Sequence, residues 1–137
     1  MRTITKQPEP ASFTNWKLTG TAAWQPSYSN LTNPIKISLQ DSLLVEQNFL
    51  CCYCEQRVAL TTSHIEHFRP KSNTAFVTLE LDYANLHASC PRKEISGEPR
   101  HCGPAKNDWY DPLLLVAPSA VNCAAHFRYL GDGSMIP

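Results

Sequence analysis

The chain has 137 residues with 12 basic and 12 acidic side chains, so its formal net charge is zero. That length fits one domain with a modest core, and the charge balance excludes a protein that holds nucleic acid by overall basicity. The longest apolar run, Leu113 to Ala117, is far too short to cross a bilayer.

Residues 1–33 carry Trp16, Trp24 and Tyr28 without a sustained period. They predict an arm with one or two helical turns around Phe13 to Leu18, its aromatics packed on the body or on a partner. Asn33-Pro34 reads as a helix start, with Asn as N-cap and Pro at the first helical position. Apolar residues at 35, 39, 43, 44 and 50 predict a helix as far as Leu50. Gln56 to Leu60 then predicts a first strand, Thr61 to Ser63 a turn, and His64 to Phe68 a second strand closed by Pro70. Lys71 to Glu80 reads as loop, and Leu81 to Leu86 as a return to compact structure. Residues 91–101 form a polar insertion loop, and Gly103-Pro104 begins a helix carrying Lys106, Asn107 and Asp108. After Asp111-Pro112 come the apolar run, a strand from His126 to Leu130, a Gly131-Asp132-Gly133 turn and a return strand from Ser134 to Ile136. That last strand is barely begun where the sequence stops, which points to a trimmed end or a partner strand supplied from elsewhere.

Met1 to Lys6 has no apolar signal core, so the six cysteines are read in a cytoplasmic setting, where metal binding is favoured over a disulfide framework. Cys51 and Cys54 have knuckle spacing, and Cys90 and Cys102 can complete four sulfur ligands for a structural zinc ion. Cys52 and Cys123 read as ordinary buried thiols. A thiol oxidoreductase is disfavoured, because no alternation of strands and helices surrounds the Cys-x-x-Cys pair.

The densest chemistry lies in His64-Ile65-Glu66-His67-Phe68-Arg69-Pro70-Lys71. An imidazole accepts a proton near neutral pH, a carboxylate is a hard ligand for a magnesium-like ion, and Arg69 and Lys71 can neutralise phosphate oxygens. The combination suits metal-assisted attack of water on a phosphodiester. Neighbouring residues of a regular strand face opposite ways, so Glu66 and His67 share a site only if the strand breaks at His67. By the same rule His64 shares a face with Glu66, as an extra ligand or a supporting group.

In order, the pieces are Cys51-x-Tyr53-Cys54, Glu66-His67-Phe68-x-Pro70-x-Ser72, Asn85-Leu86-x-x-x-Cys90 and Cys102-x-x-x-Lys106-Asn107-Asp108. The series resembles the zinc-stapled form of the HNH endonucleases. The resemblance implies an α+β fold: a ββα-metal core with a four-cysteine zinc site, an irregular N-terminal arm and helix, and a C-terminal β-hairpin. It divides a single nuclease domain, 1–137, into an arm (1–33), the helix and core (34–111) and an extension (112–137). The flanks, including Trp16, Asp111-Pro112-Leu113 and Phe127-Arg128-Tyr129, are similar to the retron-associated and Septu-type HNH proteins of bacterial anti-phage defence. That subgroup implies an ABC or SMC-like ATPase partner.

Carried over by resemblance, His67 is the general base, Glu66 the acidic ligand of a catalytic Mg²⁺ or Mn²⁺, and Asn85 the residue that fixes the loop behind the base. Lys106 matches the late lysine, and with Arg69 and Lys71 is expected to contact nucleic acid, most readily DNA. The family usually has His or Asn immediately after the last knuckle cysteine, whereas Gly103 has no ligand atom. Asn107 and His101 stand as alternative second ligands, Asn107 favoured because it would share a helix face with position 103. The alternative to an enzyme is a noncatalytic zinc-stapled docking or DNA-binding module.

Overall fold

A computed structural model describes residues 1–94, 96–132 and 134–136. Ile95 of the insertion loop, Gly133 of the predicted turn and Pro137 lie outside the described residues. Helix α1 spans Ala11–Lys17, close to its predicted place, and buries Phe13 completely, with Trp16 stacked on it at 5.9 Å. Helix α2 spans Ile35–Glu46 and buries Leu39, Leu43 and Leu44. It ends before Leu50 because Asn48 and Phe49 take left-handed φ angles of 53° and 58°, which turn the chain out of the helix. At its start Pro34, not Asn33, occupies the N-cap, and no side chain caps it.

The central ribbon differs from the predicted hairpin. Strand β1 is His64–His67, and its partner is β2, Leu86–Ser89, not Gln56 to Leu60. The two run antiparallel with His64 opposite Ser89 and Glu66 opposite His87. The 56–60 segment makes one isolated bridge, Leu50 to Arg57, because the chain curls at Cys51 to Glu55 and folds back on the end of α2. Between the strands, Thr74–Leu79 forms a 3₁₀ turn where loop was expected, and Tyr83–Asn85 another within the segment expected to be compact, each started by an Asn73 or Asp82 side chain accepting from the backbone two residues on.

Ile65, Leu86 and Ala88 on the ribbon meet α2, and Phe13, Leu31, Leu39, Leu43 and Leu44 complete the core around them. The outer edge of β2 is covered by a side chain. Gln47 accepts from the Ala88 N–H at 2.7 Å and donates to the Ala88 carbonyl at 2.9 Å, so its amide stands in for a neighbouring strand.

Short helix α3, Cys102–Lys106, follows. Beyond it Leu113 and Leu114 lie on the surface, 92% and 72% exposed. Strands β3 (Arg128–Tyr129) and β4 (Met135–Ile136) pair as the expected terminal hairpin, with β3 shorter than predicted because His126 ends a 3₁₀ turn. Among the described residues no helix is long and apolar enough to cross a membrane.

Gln47→Leu should leave the Ala88 N–H buried without its acceptor and cost about 1–3 kcal/mol. Urea unfolding is expected to show a lower midpoint at unchanged slope. An unshifted midpoint would mean that the edge of β2 does not depend on this amide.

Candidate active site

The two-residue period of β1 puts His64 and Glu66 on the face turned toward α3. Glu66 is only 8% exposed and its two oxygens have different company. Oε1 accepts from the Tyr53 hydroxyl at 3.1 Å and from Lys106 Nζ at 3.1 Å, while Oε2 lies 3.4 Å from His64 Nε2. Burial pushes the carboxyl toward protonation, but the neighbouring His64 ring and the charge and bond of Lys106 outweigh it and hold Glu66 below the usual carboxylate range. Burial, with the nearby charges of Cys52 and Glu66, pushes the Tyr53 phenol far up, so it serves as a donor.

His67 is the last residue of β1 and borders the same cleft as Glu66. The strand runs through His67, one residue short of its predicted end at Phe68, and at this strand end the ring turns back to the Glu80 carbonyl, 3.0 Å from Nε2. With Nε2–H donating there, Nδ1 is left as the acceptor. The edge-on ring of Tyr28, 4.4 Å away between centroids, supports the imidazole from the arm. Burial pulls the His67 pKa below its ordinary value, with the Lys71 and Lys106 charges adding to it, which favours the neutral ring.

Asn85 is satisfied at both ends of its amide. It accepts from the Arg69 N–H at 2.8 Å and donates to the carbonyls of Arg69 and Leu79 at 3.0 and 3.1 Å. These bonds tie the loop after β1 to the start of β2.

The three cations expected on nucleic acid have separate fates. Lys71 borders the cleft. Exposed Arg69 turns to the Tyr110 hydroxyl, 3.3 Å from Nε, beside a second groove. Lys106 departs from expectation: it is buried, and its ammonium lies 3.1 Å from both Glu66 Oε1 and the His67 carbonyl. It orients the carboxylate and is turned away from solvent. Arg92 and Arg100, which sequence reasoning passed over, do border the cleft of about 470 Å³. The signal that could have found them is their place between Cys90 and Cys102, since closing that loop by its two ends holds it near α3.

The four predicted sulfurs, Cys51, Cys54, Cys90 and Cys102, lie within 4.8 Å of one another, and none is in a disulfide. Cys54 to Cys90 is 3.5 Å and Cys90 to Cys102 is 3.7 Å. A tetrahedral ion with metal–sulfur bonds of about 2.3 Å needs sulfur–sulfur edges of about 3.8 Å, so the cluster fits a metal ion such as zinc. The thiols of Cys102, Cys52 and Cys54 hold Cys51 well below the usual thiol range, while burial and the charge of Cys51 push Cys90 up to about 12. Such crowding resists several thiolates at once unless a cation offsets them. Cys52 and Cys123 are buried outside the four.

Neither alternative for the second catalytic ligand has the expected setting. Helix α3 ends at Lys106, and Asn107 takes φ 47°, so it borders the cleft from beyond the helix and the shared-face argument does not apply. His101 is exposed and borders a smaller neighbouring cavity. Gly103, by contrast, sits directly against the reacting face: a Cβ there would lie 2.4 Å from His64 Nε2 and 2.9 Å from Glu66 Oε2.

Comparison with curated proteins finds this chain similar to a protein named as an HNH endonuclease. It is 31% identical over 104 residues to the protein named "Retron Vc95 putative HNH endonuclease" from Vibrio cholerae serotype O1 biovar El Tor, across 75% of this chain and 48% of that relative. The chain thus spans about half the length of the curated relative it matches. No family model matches it.

Elemental analysis of protein purified without chelator should find about one tightly held ion per chain at the four sulfurs. Cys54→Ser and Cys90→Ser are expected to lose that ion and the fold together, because binding at such a site contributes directly to folding free energy. Full retention of the ion by both variants would remove these sulfurs as its ligands.

Proposed function

We propose that this chain is a metal-dependent HNH endonuclease that hydrolyses phosphodiester bonds of nucleic acid, with DNA as the favoured substrate. The observation that supports it most is that one oxygen of Glu66 and the acceptor-poised ring of His67 border one open cleft, each held by its own buried partners. A divalent cation such as Mg²⁺ or Mn²⁺ held at Glu66 Oε2 would offset charge on the phosphate and on the leaving oxygen. His67 Nδ1 takes a proton from the attacking water, and the Glu80 carbonyl keeps the ring in the tautomer that can do so. Lys106 and Tyr53 keep Glu66 ionised and aimed, and Asn85 holds the loop that follows the base.

The four-thiol ion, zinc in this reading, takes no part in the chemistry because four sulfurs leave it no open position. Lys71, Arg92 and Arg100 are the cations placed to meet the substrate backbone. With no net charge on the chain, binding by the isolated protein should be weak at physiological salt. The retron name of the relative and the flanking motifs support a role in anti-phage defence; an ABC or SMC-like ATPase subunit as its partner rests on the flanking resemblance alone. The docking-module alternative rests on the neutral net charge and on the lack of a ligand atom at Gly103; against it, the space beside that glycine is filled by His64 and Glu66.

His67→Ala should keep the fold and the thiol-bound ion yet lose about 10²–10⁴-fold in cleavage with magnesium or manganese. Glu66→Ala should lose cleavage and weaken the catalytic metal as well. Both are to be assayed with the ATPase subunit, against a wild-type complex. Undiminished cutting by folded His67→Ala would remove His67 as the base, and a wild-type complex that cuts no nucleic acid with either metal would leave the docking module.

A further inference from the structure

Gly103 lies inside α3 without a left-handed φ, so its backbone does not require glycine. Its surroundings do. A Cβ would stand 2.4 and 2.7 Å from His64 Nε2 and Cε1 and 2.9 Å from Glu66 Oε2, inside van der Waals contact with all three atoms. The missing side chain leaves room for an imidazole that arrives from the opposite element, β1.

The His64 ring is held from behind. Its Nδ1 lies 2.8 Å from the Pro91 carbonyl, which can only accept, so Nδ1 carries a proton and donates it there. In the neutral ring Nε2 is then a bare lone pair, and it faces Glu66 Oε2 at 3.4 Å. Oε1 of the same carboxylate is taken by Tyr53 and Lys106, which leaves Oε2 as the free oxygen. Two acceptors facing each other are unfavourable unless a positive centre lies between or beside them. Adjacent ligands of an octahedral ion with bonds of about 2.1 Å stand about 3 Å apart, close to the observed separation. A backbone carbonyl on the far ring nitrogen is also the usual outer support of a metal-bound histidine.

We infer that His64 Nε2 and Glu66 Oε2 together are the protein ligands of one divalent cation, and that Gly103 is glycine because the strand's imidazole occupies the space a helix side chain would take. This deepens the nuclease reading and rests on it for the purpose of the ion, while the ligand pair stands on its own geometry. An imidazole ligand favours a transition metal, so the site should bind Mn²⁺ more tightly than Mg²⁺. The rival is a plain ion pair, in which a doubly protonated His64 ring neutralises Glu66 and no metal contacts the nitrogen.

The test is a Mn²⁺ titration of the full chain with its four-thiol ion retained, read by calorimetry and by the nitrogen hyperfine coupling of bound Mn²⁺. The wild type should show that coupling. His64→Ala should abolish it and weaken Mn²⁺ by about 10-fold or more. Gly103→Ala should do the same at an unchanged content of thiol-bound ion, because its Cβ displaces only the ends of two flexible side chains. His101→Ala and Asn107→Ala should bind as the wild type does, and His64→Ala combined with Gly103→His should regain nitrogen coupling from the helix side. Wild-type affinity in a folded His64→Ala or Gly103→Ala, or a wild type without nitrogen coupling, would overturn the inference while leaving any measured cleavage to stand. Coupling that depends on His64 in a protein that cuts nothing would support the ligand pair and sink the nuclease reading instead.

Discussion

The geometry of the cleft depends on four sulfur atoms being held within 4.8 Å of one another. They come from the curl after α2, the residue that follows β2 and the first residue of α3, segments also joined by the Cys52 N–H to the Ala88 carbonyl and the Gly103 N–H to the Ser89 hydroxyl. Helix α3 has only five residues, far too few to persist alone in water. Cys102 anchors its first turn, and Gly103, the next residue, is thereby delivered against His64 and Glu66. A metal ion in the cluster would make this convergence part of the folding free energy. With such an ion bound, the face that carries His64 and Glu66 would be as stable as the staple beside it.

Within that frame the polar side chains act as tethers of defined length. Lys106 joins α3 to β1 through Glu66 and the His67 carbonyl, Asn85 joins the loop after β1 to β2, and Gln47 joins α2 to the outer edge of β2. Each is buried and each meets a partner, which is what buried polar groups require if they are not to destabilise the fold. The result is a carboxylate with one oxygen committed to the protein and one left to the cleft. A charged group immobilised in this way loses little freedom when it acts, so the arrangement favours positioning over mobility.

The arm and the C-terminal extension frame the site unequally. Tyr28 reaches from the arm to the edge of the His67 ring, so residues far from the core motif shape the environment of that imidazole. Of the arm's aromatics, expected on the body or on a partner, Phe13 is fully buried and Trp16 stacks on it, while Trp24 stays exposed. Leu113 and Leu114 remain on the surface.

The candidate residues for the chemistry could be read from the chain alone. The clustering of Cys51, Cys54, Cys90 and Cys102 was legible because sulfur ligation constrains spacing, and Glu66, His67 and Asn85 stood out as candidates because their order resembles a family motif; α1 and most of α2 followed from apolar periodicity. Only the tertiary structure decided how those residues meet. The ribbon's second strand is Leu86–Ser89, beginning nineteen residues after the end of β1, because strand pairing is a non-local choice that the curl at Cys51 to Glu55 denies to the nearer segment. The fate of Lys106 was equally hidden, since spacing along a chain cannot say whether an ammonium faces solvent or a buried carboxylate. The meaning of Gly103 was hidden for the same reason. A glycine shows in sequence only that something is missing, and what fills the space comes from a strand thirty-nine residues earlier, brought there by packing in three dimensions.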